Sequence, residues 1–485
     1  MGKCKHHGVC GLEDANQPDG YLCILHSPDL YKGQDNFRKA LETHCKKEKG
    51  STNFGRMVFP YQINFYRVTF SEWADFSWTE FKKGAIFDGV TFQKGANFAL
   101  AKFFEDATFV KTTFSDYAWF NKALFAGEAN FWDASFSRAD FRGAKFEKNT
   151  EFGSAKFSDA TRFHQTEFKG EAHFSDASFD GIVLFSSITF PEDALFDSAR
   201  FIEQASFRRV SFTKDANFTR AIFSKEGEFL GTDFNKIANF ADARFLGPTI
   251  FTGSNGNPVF LGEAIFTKVI SNPGDALRFI EADLSRCRFL GTDVRKVHFL
   301  GVRWARIGGR DGIYDEIAPQ VHGEEHPLAQ IEELYRELKQ NYEDRRDYER
   351  AGDFHVGEKE IRLRNPKTDR YLKLLLALYK LVSGYGENYR RPLLWLGILW
   401  VYTSTSLLAG GLTMQRSNES LLLSLNSLPH WGWALLYGLK TIFHLPANDF
   451  APEGLFGHII HALASILGPV LIALFGLALR QRLKR

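Results

Sequence analysis

The first residues of the chain whose side chains could do chemistry are cysteines and histidines near the amino terminus. They fall within 23 residues, and they are Cys4, His6, His7, Cys10, Cys23 and His26. Zn²⁺ binds four such ligands in a tetrahedron, and so short a segment cannot form a hydrophobic core unless a metal ion cross-links it. We predict a structural zinc site formed by Cys4, Cys10, Cys23 and His26, in which His6 or His7 is the alternative to Cys4. The competing interpretation is a reduced thiol cluster with solvated histidines.

A second group lies near the carboxyl terminus, in the run Lys440-Thr441-Ile442-Phe443-His444. A cation in a segment at membrane depth is a candidate functional residue. Its alternative is a lysine that reaches the lipid headgroups along its apolar stem. Downstream, His458 and His461 lie on one helix face, where they would bind a metal, sense protons or simply be solvated.

The rest of the chain offers no catalytic motif. It has no P-loop, no G-x-S-x-G and no H-E-x-x-H, so we expect no enzymatic activity. Lys and Arg number 60 against 58 Asp and Glu, and this balance argues against a nucleic-acid partner.

Phenylalanine dominates the middle of the chain, and it makes up 49 of the 485 residues. From Phe65 to Phe251 it recurs at alternating spacings of five and six residues, with a stretch of fives at Phe136, Phe141 and Phe146. Neither a helix nor a simple strand has this period, whereas a stacked repeat does. A small residue precedes many of these rings by two positions, as Ala96 precedes Phe98, so both side chains face inward on extended backbone.

Units such as Ala129-Asn130-Phe131 and Ala282-Asp283-Leu284 resemble the pentapeptide repeat family. The resemblance implies a right-handed quadrilateral β-helix, with Phe at the central position, over roughly residues 54–304. The run Cys23-Ile24-Leu25-His26-Ser27 resembles a Cys-x-x-His-Ser element found ahead of such arrays in some bacterial proteins. That resemblance supports zinc in the amino-terminal segment.

After Trp304 the pattern becomes helical. Apolar residues at spacings of three and four, from Leu328 to Tyr342, predict an amphipathic helix, and a second helix ends near Asn365. The pair resembles a single tetratricopeptide-type hairpin, which we interpret as a neck. Residues 371–385 predict an interfacial helix, 392–414 and 455–479 predict membrane spans, and 431–445 is too short to cross.

The order span, short segment, span resembles the two-helix pore module of potassium channels. A potassium filter needs glycine in a T-V-G-Y-G run, and the corresponding run from Lys440 to Pro446 has none. A degenerate pore, a pore of other selectivity or a plain anchor therefore remain. Basic residues before the first span (Arg390, Arg391) and after the second (Arg480 to Arg485) place both ends in the cytoplasm.

The predicted organisation is a zinc-binding segment (residues 1–50), a solenoid (51–310), a helical hairpin neck (320–366) and a membrane domain (367–485). We expect a multi-pass protein of the bacterial inner membrane whose cytoplasmic solenoid is a scaffold for an unknown protein partner. The alternative is an oligomeric pore that is not selective for potassium. In it, copies of this chain would surround a path formed near Lys440, Thr441 and His444.

Overall fold

The computed structural model describes residues 25–27, 33–47, 52–253, 258–272, 276–319, 327–416 and 419–484. The chain divides into two compact units, Met1–Glu325 and His326–Arg485. The first unit is a β-solenoid of about 11 turns, and the second is helical. The hairpin expected as a separate neck belongs to the second unit.

Each turn of the solenoid pairs in parallel with the next, and most turns do so at a register of 22 residues, as Val58 pairs with Glu80 and Phe59 with Phe81. This register is the sum of two spacings of five and two of six. Four ladders of short strands result. The two ladders whose strands end on Phe alternate around the coil with the two whose strands begin mostly on Ala.

The first ladder contains Ala74–Asp75, Ala96–Asn97, the last part of two longer strands (Thr113–Trp119 and Ser135–Asp140), Thr161–Arg162, Val183–Leu184, Ala205–Ser206, Gly227–Leu230, Thr249–Thr252, Leu277–Ile280 and His298–Leu300. The second ladder contains Val58–Phe59, Glu80–Phe81, Lys102–Phe103, Leu124–Phe125, Lys145–Phe146, Glu167–Phe168, Thr189–Phe190, Ser211–Phe212 and Asp233–Phe234.

The third ladder contains Ile63–Asn64, Ala85–Ile86, Ala107–Thr108, Ala129–Asn130, Thr150–Glu151, Ala172–His173, Ala194–Leu195, Ala216–Asn217, Ala238–Asn239, Ala264–Ile265 and Cys287–Arg288. The fourth contains Thr69–Phe70, Thr91–Phe92, the first part of the two longer strands, Lys156–Phe157, Ser178–Phe179, Arg200–Phe201, Ile222–Phe223, Arg244–Phe245 and Ile270–Ser271.

The core is a set of phenylalanine columns along the solenoid. Phe109, for example, is fully buried and stacks on Phe87 and on Phe131, with ring centroids 4.8 Å apart in both cases. It also meets Phe98 and Phe120 edge to face at 5.5 Å. Parallel stacking between coils and edge contacts within them are the favourable aromatic geometries. The prediction that these rings point inward is confirmed.

The alternation of five and six has a backbone cause. Most five-residue corners carry a left-handed residue two positions after the Phe, as at Lys111 (φ 54°) and Lys122 (φ 57°), and the corner from Phe136 to Phe141 is an exception. Most six-residue corners carry none, and their extra residue lets the chain turn with φ negative. Non-glycine residues tolerate these left-handed corners because the side chain points into solvent, although each costs some strain.

Both ends of the solenoid are covered. At the amino end Val58 N–H donates to the Leu25 carbonyl (2.8 Å), and Phe37 of helix α1 (Gln34–Lys47) meets Phe59 edge to face at 5.8 Å. At the other end the carboxylate of Asp315, in the 3₁₀ turn Tyr314–Glu316, accepts from the backbone N–H groups of Phe289 and Leu290. Caps are what a stack of identical coils requires.

After the last coil, strands Ala305–Ile307 and Arg310–Gly312 form an antiparallel pair. The second unit contains helices α2 (Leu328–Asp344), α3 (Tyr348–Arg364), α4 (Arg370–Ser383), α5 (Arg390–Gly410), α6 (Leu428–Ile442) and α7 (Gly454–Lys484). The segments between α5 and α6 and between α6 and α7 form a three-stranded antiparallel sheet. Its strand order is Glu419–Leu423, Leu412–Arg416 and Phe450–Pro452.

Helices α5 and α7 are long and apolar enough to cross a membrane. Their spans differ slightly from the predicted ones. Helix α5 ends at Gly410, because Gly411 (φ 101°) redirects the chain into the strand Leu412–Arg416. Helix α7 extends beyond residue 479 to Lys484, through its basic last turn. The sheet itself was not predicted.

Candidate functional site

The predicted zinc ligands lie mostly outside the described residues. This holds for Cys4, Cys10 and Cys23, together with His6 and His7, and only His26 is described. His26 is 3% exposed and follows Leu25, whose carbonyl caps the first coil. Within the described part of the chain, no three His, Cys, Asp or Glu side chains are arranged to hold a metal. The zinc site therefore stays a prediction.

The three residues of the predicted pore-like segment have separate surroundings. Lys440 Nζ lies 3.9 Å from a carboxylate oxygen of Asp449 and 5.6 Å from the ring centre of Phe450. Thr441 is buried at the end of α6, whereas His444 is exposed in the turn that follows. The structure does not bring the three side chains together.

A polar contact between α6 and α7 lies close by. Tyr437 Oη is 3.0 Å from His461 Nδ1, and Thr441 Oγ1 is 3.4 Å from the same nitrogen. The tyrosine and histidine rings stack with centroids 5.8 Å apart. Of the two histidines singled out by sequence, His461 thus faces a helix, while His458 is exposed.

One irregular surface of the solenoid is a corner between the fourth and first ladders. In two consecutive coils the corner is replaced by continuous strands, Thr113–Trp119 and Ser135–Asp140, which pair with a register shift between Phe114 and Tyr117. The second of these coils lacks one residue, since Phe136 and Phe141 are five apart at a corner that otherwise takes six. The stretch of fives noted in the sequence marks this place.

We call this surface the corner patch, formed by Trp73, Tyr117, Trp119, Arg138, Asp159 and Arg162. The rings of Trp73 and Trp119 meet edge to face at 5.0 Å, and those of Tyr117 and Trp119 lie 5.9 Å apart. Tyr117 and Trp119 are 37% and 38% exposed. The members of the patch other than Trp73 line a notch of about 280 Å³.

Electrostatic contacts fix the polar members of the corner patch. Arg138 Nη1 donates to Tyr117 Oη (2.6 Å), and Arg138 Nε donates to Asp159 (2.7 Å). The guanidinium holds the pKa of Asp159 below its usual range. Arg138 is thus oriented by two partners. Trp, Tyr and Arg are the residue types that carry most binding energy in protein interfaces.

The other large exposed aromatic rings among the described solenoid residues lie in the same coils, at other corners. Each has a cation near its face: Tyr66 with Arg67, Trp78 with Arg56, Phe104 with Lys82, and Trp132 with Lys111. Among described solenoid residues, every large exposed aromatic falls between positions 66 and 132, and the large hydrophobic side chains exposed on the later coils are all aliphatic. The first four coils therefore have a distinct surface.

The family model of pentapeptide repeats (9 copies) matches residues 54–101, 136–189 and 185–232. The solenoid is built of pentapeptide repeats. The matched segments contain most of the regular coils of the pentapeptide repeat solenoid, and the unmatched stretch 102–135 contains part of the corner patch. Comparisons with curated proteins and with solved structures gave no match.

Sequence reasoning missed the corner patch and Asp315. The patch had a signal, namely the missing residue between Phe136 and Phe141. Asp315 had none, because its role depends on a backbone that returns across the last coil.

Proposed function

We propose that this protein is a membrane-anchored scaffold whose pentapeptide repeat solenoid presents the corner patch to a protein partner in the cytoplasm. The observation that carries the anchor is the exposure of apolar side chains on the long helices. Leu394 of α5 is 64% exposed and Ile466 of α7 is 65% exposed. In a soluble protein such helices would be core and mostly buried, whereas a bilayer accepts these faces.

The flanking charges support the orientation. Arg390 and Arg391 open α5, and Arg482 and Lys484 lie in the last turn of α7. Positive residues at these two ends favour the cytoplasmic side.

The corner patch supports the scaffold role. It combines two indoles, a phenol and two guanidinium groups on a rigid β surface, and Arg138 is already held in place. Pre-ordered side chains lose little entropy on binding, so such a surface suits a protein partner.

The test uses the full chain in its own cells, with a photo-crosslinking amino acid at position 119 and, as matched control, at position 202 on a later coil, where Ile202 is also exposed (37%). We expect one defined partner to be crosslinked from position 119 and not from 202, and to be lost in an Arg138→Gln background. Equal capture from both positions would contradict the scaffold proposal. Separately, failure of the protein to float with lipid vesicles would contradict the anchor.

An oligomeric pore is the second candidate. The observation that favours it is the Tyr437–His461 contact, a polar contact between the apolar helices α6 and α7. Reconstitution into lipid would decide: ion flux abolished by His461→Phe would favour the pore, and non-conducting protein would favour the scaffold.

A further inference from the structure

An apolar groove runs between three helices of the second unit. Helix α4 contributes Leu378 and Val382, α5 contributes Ile398 and Tyr402, and α7 contributes Leu467 and Leu474. The groove has a volume of about 750 Å³, and its walls are almost entirely hydrocarbon. On α5 it extends from Trp395 to Tyr402, about 10 Å of helix.

Arginines lie at one end of this groove. Arg391 is one helical turn before Trp395, and its Nη1 donates to the Lys380 carbonyl at the end of α4 (2.7 Å). Arg390 lies over the ring of Tyr389 at 5.9 Å. Arg390 and, from α7, Arg482 lower the pKa of Tyr389, so the two helices bring their basic ends close together.

Carboxylates near this end offset only part of the charge. Glu360 pairs with Lys380 (2.8 Å), and Glu387 lies in the loop between α4 and α5. Arg390 and Arg391 have no carboxylate within 4 Å in the described part of the chain. An apolar slot that ends at such arginines matches a molecule with a hydrocarbon tail and an anionic head.

We propose that this groove binds one acyl chain of an anionic phospholipid whose phosphate is held by Arg390 and Arg391. The inference rests on the membrane anchoring proposed above. A helix from a second copy of the chain would also fill the slot, but it would leave the two guanidinium groups without a counter-ion. One lipid molecule supplies both the hydrocarbon that fills the groove and the anionic group that pairs with the arginines.

The test measures lipid retained by the full chain after extraction from vesicles of phosphatidylglycerol and phosphatidylcholine, by native mass spectrometry. We expect wild type to retain phosphatidylglycerol roughly tenfold over phosphatidylcholine. Leu467→Trp fills the groove and should abolish retention. Leu463→Trp, one turn away on the same helix and outside the groove, is the matched control and should leave it unchanged. Arg390→Gln with Arg391→Gln should remove the headgroup preference.

Equal retention by Leu467→Trp and Leu463→Trp would overturn the proposal, because the lipid would then be a non-specific annulus. A dimer that Leu467→Trp dissociates, with no lipid in wild type, would assign the groove to a second copy instead. Ile398→Trp, on α5 and 48% exposed, repeats the test at a position that tolerates a large side chain. Vesicle flotation is the separate check. Protein that floats but retains no lipid would contradict only this inference, whereas protein that does not float would also contradict the membrane anchor.

Discussion

Trp73 and Trp119 touch, with ring centroids 5.0 Å apart, although an intervening coil separates them. The intervening corner is occupied by Gly95 (φ 92°). A Cβ at this position would come within 2.9 Å of Trp73 Cζ3 and within 3.0 Å of the Tyr117 backbone nitrogen. Glycine at this one position therefore lets the two indoles meet and lets the strand Thr113–Trp119 pass close by.

We predict that Gly95→Ala destabilises the solenoid and disrupts the corner patch. The new methyl group meets backbone as well as an indole, and the left-handed φ adds strain, so we expect a loss of about 1–3 kcal/mol. Chemical unfolding followed by tryptophan fluorescence would measure it. Gly143→Ala is the control, because its φ is 64° and the nearest atom, Lys122 Cγ, is 3.5 Å away. Equal losses in both variants would contradict the account.

The second prediction concerns the phenylalanine columns. Phe109→Ala removes a fully buried ring from between Phe87 and Phe131 and should cost about 3–5 kcal/mol. Phe104→Ala removes a ring that is 39% exposed and lies under Lys82, and it should cost less than about 1 kcal/mol. Denaturant unfolding of the two variants would compare them. Similar costs would show that the columns do not dominate stability.

The sequence was enough to predict the solenoid because each coil repeats the same local choice. Phe on the inner side and a small residue two positions earlier are visible at every turn, so an error at one coil is corrected by the others. The corner patch was harder, since it depends on Trp73 reaching over Gly95 to a residue 46 positions away. The strand Phe450–Pro452 was missed for a similar reason, because α6 separates it in sequence from its partner Leu412–Arg416.

The third prediction concerns the carboxyl-terminal cap. Asp315 is fully buried, and burial raises its pKa from 3.8 to about 6, even though the N–H groups of Phe289 and Leu290 favour the charged form. The folded chain therefore holds this proton more tightly than the unfolded chain does. The resulting stabilisation of the fold is complete below about pH 4 and is lost as the pH rises through about 6. Asp315→Asn keeps an acceptor without the charge, so we expect stability at pH 8 equal to or above wild type.

Asp315→Ala is the contrasting variant. It leaves two buried N–H groups without an acceptor and should cost about 1–3 kcal/mol at any pH. Thermal unfolding at pH 5 and pH 8 would compare the three proteins. If alanine and asparagine behaved alike, the carboxylate would not be a cap.

The last prediction uses His173, which lies between two carboxylates of the third ladder. Its Nδ1 is 3.2 Å from Glu151 and its Nε2 is 3.0 Å from Glu171, and Glu151 chiefly raises its pKa from 6.5 to about 9. The folded chain therefore holds the proton more tightly than the unfolded chain. This contribution is complete below about pH 6.5 and is lost as the pH rises through about 9. Because the site is partly exposed, solvent screening keeps the effect to about 1 kcal/mol or less.

His173→Gln should accordingly lower the melting temperature at pH 6 and have little effect at pH 10. His164→Gln is the control in the same coil, where the ring lies 3.3 Å from the hydroxyl of Ser186 in place of a carboxylate. A loss at His173 that does not vary with pH would mean that packing, and not the proton shared with Glu151 and Glu171, is what the imidazole contributes.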